Sequence, residues 1–425
     1  MIFFNINRLG TALTSVCAAG LLLVSCDDML QVDNPTALTE DDLSNPEIAS
    51  NTVNGSLGTL MGKEGISLSQ MVQVTDETDW VGSFDSYRNK NLGQLERQNQ
   101  YINNAWDATG EARWMADRAL QQMQEFEEQD LLHNPVHLGR AHLFAGAVRV
   151  LIAERWDDFV MSDRTEAGQP LGEEGMLGLF DEAVEHFDQA ISVAEAEGAD
   201  DVRNKALAFR VRAQHSQEVR QIIKQGQTPA ADPFVTSPEV QSAAEDALNQ
   251  IPEGFEWEYD YTSAGVNNTL HSNVMSRQEF AFNDFPEDPI TGETDSRLLA
   301  KQQVYESSES YGDSRAPQRV ISTRMLNLIA AESYMGEDDE MVRSYLNANR
   351  ENMDGLAPVT DDHDLEEILE HERFANLYFM GLRLQDMYRF GSESEFWIDR
   401  SHAKQNPGRL LPIPSGEISS NPNLD

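Results

Sequence analysis

Apolar residues recur at intervals of three and four along much of the 425-residue chain, and many of them are alanine. In residues 104–128, Ala105, Ala108, Ala112, Met115, Ala116, Ala119, Leu120, Met123 and Phe126 fall on one face of a helix. A second helix is predicted over 138–159, where Ala141, Phe144, Ala145, Val148, Leu151 and Ile152 form the stripe and Pro135 stands just ahead of it. A third runs over 179–197 on Phe180, Ala183, Val184, Phe187, Ala190, Ile191 and Ala194, with Gly198 placed to cap it. Small alanines set among aromatics allow helix axes to approach closely. A single such pair buries too little to be stable alone, so stacked neighbours are required, and 205–224 supplies one.

The stretch Phe180–Ala190 resembles the second helix of a tetratricopeptide repeat, without the usual terminal proline. From 225 to 315 the pattern breaks into Pro, Gly, Asn and aromatic residues, with one short stripe at 239–248. A loop region this long inside a domain is expected to be functional. Helical signal returns at 319–334, 338–351 and 363–390. The expected fold is mainly α: an α-α superhelix of tetratricopeptide-like helix pairs with long irregular insertions.

The first 25 residues carry one charge, Arg8, and an apolar run over 12–24 that ends at Ser25-Cys26 and is followed by Asp27 and Asp28. The run is too short for a spanning helix, which needs ~20 apolar residues. It reads as a lipoprotein signal peptide over 1–25, with Cys26 as the lipidated residue and 26–45 as a tether to a domain over 46–425. Cys17 leaves with the signal and Cys26 is consumed by lipid, so thiol catalysis, a disulfide and a Cys-ligated metal are excluded for the mature chain. With 31 basic residues against 73 acidic, the net charge of −42 excludes nucleic acid as a partner, since polyanion binding depends on clustered cations. The acid-rich, lysine-poor composition reads as adaptation to a saline medium.

Several segments in order resemble the SusD/RagB family of surface lipoproteins. They are Arg324 to Tyr334 with Glu332 near its end, Tyr345 to Arg350 followed by Gly355-Leu356, and Ile368 to Arg373. Gly381 to Gly391 and the closing Leu411-Pro-Ile-Pro414 and Asn421-Pro-Asn-Leu424 complete the series. Departures occur at Asn376 and Met380, where the family carries acids, at Asp117 in place of Asn, and in the missing terminal motif. The resemblance implies a SusD-like helical fold, an outer-membrane, surface-exposed location and a TonB-dependent, SusC-like transporter as partner. It implies a non-catalytic role: capture of a nutrient, an oligosaccharide or else a peptide, which the protein presents to the transporter by acting as its hinged lid. Glu372, Arg373, Arg383 and Asp386 read as structural ion pairs that lock the last long helix onto the repeats.

Chemistry of other kinds finds little support. His371-Glu372 lacks the second histidine of a zinc-protease helix, since Ala375 stands there. The acidic segment 283–295 lacks the order of a calcium loop and reads as solvated. No cofactor and no metal are expected. A purely protein-binding repeat scaffold and, less favoured, a glycoside hydrolase are the alternatives. Sugar or peptide recognition calls for flat apolar faces beside polar donors. Two aromatic clusters in the irregular regions offer these: Trp80, Phe84, Tyr87 and Arg88, and Trp257, Tyr259 and Tyr261 with Asn267.

Overall fold

The computed structural model describes residues 45–162, 166–261, 265–310, 313–351, 353 and 355–424. The predicted signal peptide, Cys26 and nearly all of the tether lie outside the described residues. Ala49–Asp425 forms one compact unit.

The periodic segments are helices, longer at their N-terminal ends than the stripes indicate. They are α3 (Gln100–Glu128), α4 (Val136–Arg155), α5 (Gly172–Glu197) and α6 (Asp200–Ile223). Asn99 caps α3, its side chain accepting from Tyr101 N, and Gly198 closes α5 in the left-handed conformation that glycine adopts without strain. Each of these helices packs on the next, α3 on α4, α4 on α5 and α5 on α6. The α4–α5 contact explains the alanines and glycines: a Cβ added at Gly146 would stand 2.6 Å from the Phe187 ring. The stack continues through α7 (Pro238–Gln250), α10 (Thr323–Ser333), α11 (Asp339–Arg350), α12 (Leu365–Leu377) and α13 (Arg383–Phe390). Helix α4 is, among the described residues, the one long and apolar enough to cross a membrane, and most of it is buried in the core.

Three features depart from the sequence expectation. First, α1 (Ala49–Val72) precedes the predicted first helix and packs on α3 and α4. Its four glycines and many Ser, Asn and Thr residues hide its helical character, yet they permit close approach: a Cβ at Gly65 would lie 3.3 Å from Thr269 N. Second, 319–322 belongs to a strand, β6 (Gln318–Ser322), which pairs antiparallel with β2 (Glu256–Tyr259). Third, the expected last long helix is two helices, α12 and α13. The break contains Phe379 with φ of 64° and Gly381 with φ of 79°, and the Phe379 N–H donates to Glu77 Oε1 at 2.5 Å.

The ionic frame is real but differently wired. Arg373 bonds Asp386 at 3.0 Å, and both join Glu332 and Arg389 in a buried network. Glu372 instead engages Arg297 and Arg350, both at 2.6 Å. Arg383 reaches back to Asp76 at 2.6 Å. Three linkages, not one, tie the C-terminal helices to distant segments.

Candidate functional site

The first aromatic cluster sits where the region 225–315 meets the segment after α1. Thr78–Trp80 forms β1, and Phe280–Phe282 forms β3; the two pair antiparallel with Trp80 opposite Phe280. The turn beyond β1 is pinned by Glu279. Its backbone carbonyl accepts from Val81 N and Gly82 N, each at 3.2 Å, and its carboxylate accepts from Ser83 N and Phe84 N at 3.1 and 3.3 Å. Glycine is required at position 82, because a Cβ there would lie 2.7 Å from the Glu279 Cα as well as against its carboxylate. The consequence is an apolar projection: Val81 is 52% and Phe84 42% exposed. Phe84 opens α2 (Asp85–Asn91), and its ring stands edge-on to Tyr87 at 6.1 Å.

Beside this projection lies a cleft of about 510 Å³. Val81, Met275, Phe280 and Phe282 give it apolar walls, and Gln278 and Gln302 supply carboxamides that can both donate and accept. Gln278 holds a left-handed backbone, φ 50°, uncommon for a residue with a side chain. Trp80 is half-buried, with the Arg88 guanidinium 5.7 Å from its ring centroid and its indole N–H without a hydrogen-bond partner among the described residues. Phe280, Phe282, Gln278 and Gln302 escaped the sequence reading because no local motif marks them. Their role comes from pairing across about 200 residues.

Not every residue of the first cluster is available to a ligand. Tyr87 is buried, stacked on Tyr101 at 3.9 Å between ring centroids. The buried Lys90 ammonium sits 4.8 Å from the Tyr87 ring, and burial holds its pKa well below the usual lysine value. Tyr87 is therefore a packing residue under Phe84.

The second cluster needs a larger correction. Trp257 and Tyr259 lie two apart on β2, so they share a face, and that face is turned into the core. Trp257 packs edge-on against Phe209 of α6 at 5.5 Å and against Tyr259 at 5.6 Å. Tyr261 is buried as well, its hydroxyl donating to the Met61 carbonyl at 3.2 Å, and burial pushes both tyrosine phenols well up. Of that set only Asn267 is exposed. These aromatics hold strand to helix and are almost entirely buried.

The segment 283–295 is mostly exposed or half-buried, as its composition indicates, but two of its acids turn inward. Asp288, Asp295 and His371 are buried, with ligand-type atoms within 4.8 Å of one another. Two guanidiniums already fill the space: Arg350 lies 2.8 Å from Asp288 and Arg297 2.6 Å from Asp295, while His371 Nε2 is 2.9 Å from Asp295. Arg297 and His371 hold the Asp295 carboxyl well below its usual range despite burial. The cluster is a charge-compensated brace between the loop and α12.

No family model matches the chain, and no curated protein matches it. Solved structures do. A SusD-like protein from Bacteroides fragilis superposes with a TM-score of 0.59 at 14% identity, covering 91% of this chain and 98% of that one. A SusD superfamily protein from Bacteroides vulgatus gives 0.57 at 16% identity, with 90% and 98% covered. The fold is SusD-like. A third structure, described as a SusD-like carbohydrate-binding protein from Bacteroides vulgatus, gives 0.54 at 12% identity over 81% and 83% of the two chains. In this SusD-like fold the helical stack is the frame, and the β1–β3 ribbon is mounted on it by α1 and α2.

Proposed function

We propose that the chain is a lipid-anchored surface protein that captures an oligosaccharide in the β1–β3 cleft and delivers it to a TonB-dependent transporter, making and breaking no bond itself. The observation that carries the reading is the pairing of exposed Phe84 and Val81 with a cleft of aromatic walls and carboxamide edges. Sugars present apolar C–H faces and hydroxyls in alternation, and this combination meets both. The solved carbohydrate-binding relative in fold supports it. The anchor rests on Cys26 and the apolar run before it.

Calorimetry against neutral glycans and peptides, with Phe84→Ala and Trp80→Ala, tests the capture. Saturable heat with glycans that falls in either variant is expected. Heat with peptides alone would reassign the ligand, no heat even with the transporter present would leave a protein-assembly scaffold, and a changing product profile would mean an enzyme. Separately, Cys26→Ser should abolish lipid labelling; a variant still labelled and membrane-bound would refute the anchor.

A further inference from the structure

Helix α9 (Ser296–Ser307) buries only Leu298 and Tyr305. On one flank Gln302 and Glu306, one turn apart, line the cleft described above. On the other flank Arg297, Lys301 and Val304 line a second cleft of about 500 Å³, which is otherwise walled by β2, β6, α10 and α12. Arg319 from β6 and Arg324 from α10 face the same space. Four basic side chains thus meet in one cleft of a chain that has only 31 against 73 acids.

Their partners divide them into two kinds. Arg297 is fully engaged by Asp295 and Glu372, and Arg319 is paired with Glu256 at the rim. Glu258 lines the cleft too, 4.0 Å from Arg319. Arg324 has no carboxylate partner among the described residues; its side chain reaches only the Met353 thioether, at 3.7 Å. Lys301 makes no ion pair there either, and its ammonium lies 5.4 Å from the Tyr305 ring. A half-buried guanidinium facing a weak sulfur acceptor loses hydration without gaining an anion.

We propose that this cleft is a subsite for an anionic group, a carboxylate or a sulfate, held by Arg324 and Lys301 with Arg319 beside them. The arrangement has the fork and point charge that bind such groups: a planar guanidinium for a bidentate contact and an ammonium for a second oxygen. The electrostatics agree. Burial lowers Lys301 to about 8 against the pull of Glu258, and burial with the neighbouring Arg324 lowers Arg319 to about 10, so an arriving anion favours charges that burial now disfavours. Glu256 and Glu258 line the same cleft beside Arg319 and Lys301 and disfavour large polyanions there. This deepens the capture reading by giving the ligand an acidic class, such as a uronate-bearing or sulfated glycan, but anion binding here does not require that reading to hold.

The test is titration calorimetry on the full chain with three probes at matched ionic strength: trigalacturonate, inorganic sulfate and a neutral hexose trimer. Each is repeated with Arg324→Gln, Arg324→Lys and Lys301→Gln, after thermal melts show that the variants are folded. Saturable binding of trigalacturonate or sulfate, weakened tenfold or more by Arg324→Gln and Lys301→Gln and less by Arg324→Lys, is expected. The probe that binds identifies the charged group. The proposal is overturned if neither acidic probe binds, or if binding is equal in wild type and in the folded variants. Should both Arg324 variants fail to fold, Lys301→Gln decides alone. Loss of neutral-trimer binding in Phe84→Ala, with acidic binding intact, bears on the β1–β3 cleft and not on this one.

Discussion

Replacing Glu332 by Gln probes the ionic frame at its centre. Glu332 on α10 is fully buried and accepts from Arg373 at 3.2 Å, from Arg389 Nη2 at 3.1 Å and from the Val235 amide at 2.9 Å, with His215 Nε2 at 3.1 Å. Asp386 completes the set, bonded to Arg373 at 3.0 Å and Arg389 at 2.9 Å. Two guanidiniums therefore face two carboxylates. Burial holds the His215 imidazole below its usual pKa, so it adds no charge at neutral pH. With Gln at 332, two buried cations share one carboxylate, and an amide NH2 faces donors. Breaking a buried pair in this way costs ~3–5 kcal/mol, because the remaining charge stays desolvated. The pH dependence follows from the sign of the shifts. Glu332 and Asp386 are both held below the usual carboxylate range by Arg389 and Arg373, against burial. Their contribution is complete above the unfolded carboxylate pKa and is lost as pH falls through the folded values. Urea unfolding followed by tryptophan fluorescence should show a wild-type-to-variant gap of ~3–5 kcal/mol at pH 7 that narrows toward pH 3. A gap under ~1 kcal/mol, or one that does not change with pH, would refute the reasoning.

Glu77 shows the opposite sign. Burial raises its pKa from 4.5 to about 7, only partly offset by the Phe379 amide, so wild-type stability should fall between pH 5 and 8 by on the order of 3 kcal/mol. Glu77→Gln should flatten that window in pH-dependent melts, and an unchanged slope would contradict it. At Gly146, alanine gains ~1 kcal/mol of helix propensity, yet its Cβ meets the Phe187 ring at 2.6 Å. A net loss of ~1–3 kcal/mol in urea midpoints, restored by Phe187→Leu, is the expected balance. The net charge of −42 predicts a melting temperature that climbs from dilute buffer to molar salt, since screening shortens to ~3 Å at 1 M; a flat profile would count against the saline reading.

The helices that carry strong stripes were legible because amphipathic periodicity is local. Gln100–Glu128 and Gly172–Glu197 announce their buried faces residue by residue. Ala49–Val72 did not, since its buried Val53, Leu60, Leu68 and Met71 are interrupted by buried Ser56, Glu64, Gly65, Ser67, Ser69 and Gln70, which blur the apolar stripe. Its fit is decided by what lies against it, including Arg155 paired with Glu64 at 2.8 Å. The break between α12 and α13 was hidden for a related reason: Phe379 takes a left-handed backbone that a buried carboxylate 302 residues away holds in place.

At the candidate site the division is sharper. Sequence placed aromatic residues of the right kind in two irregular segments, but whether an aromatic packs or projects depends on the strand partner it receives. Phe84 projects because Glu279 pins its turn, whereas Trp257 and Tyr259 are swallowed between β6 and α6. The chain by itself determined the helical class, the places of its strongly striped helices and the overall acidity, since these are written in composition and in spacings of a few residues. Tertiary structure alone decided which aromatics face solvent, that Glu372 pairs with Arg297, and that Arg324, in its cleft, has no carboxylate partner among the described residues. Burial and ionic partnership are sums over groups far apart in sequence, and only the folded chain brings those groups together.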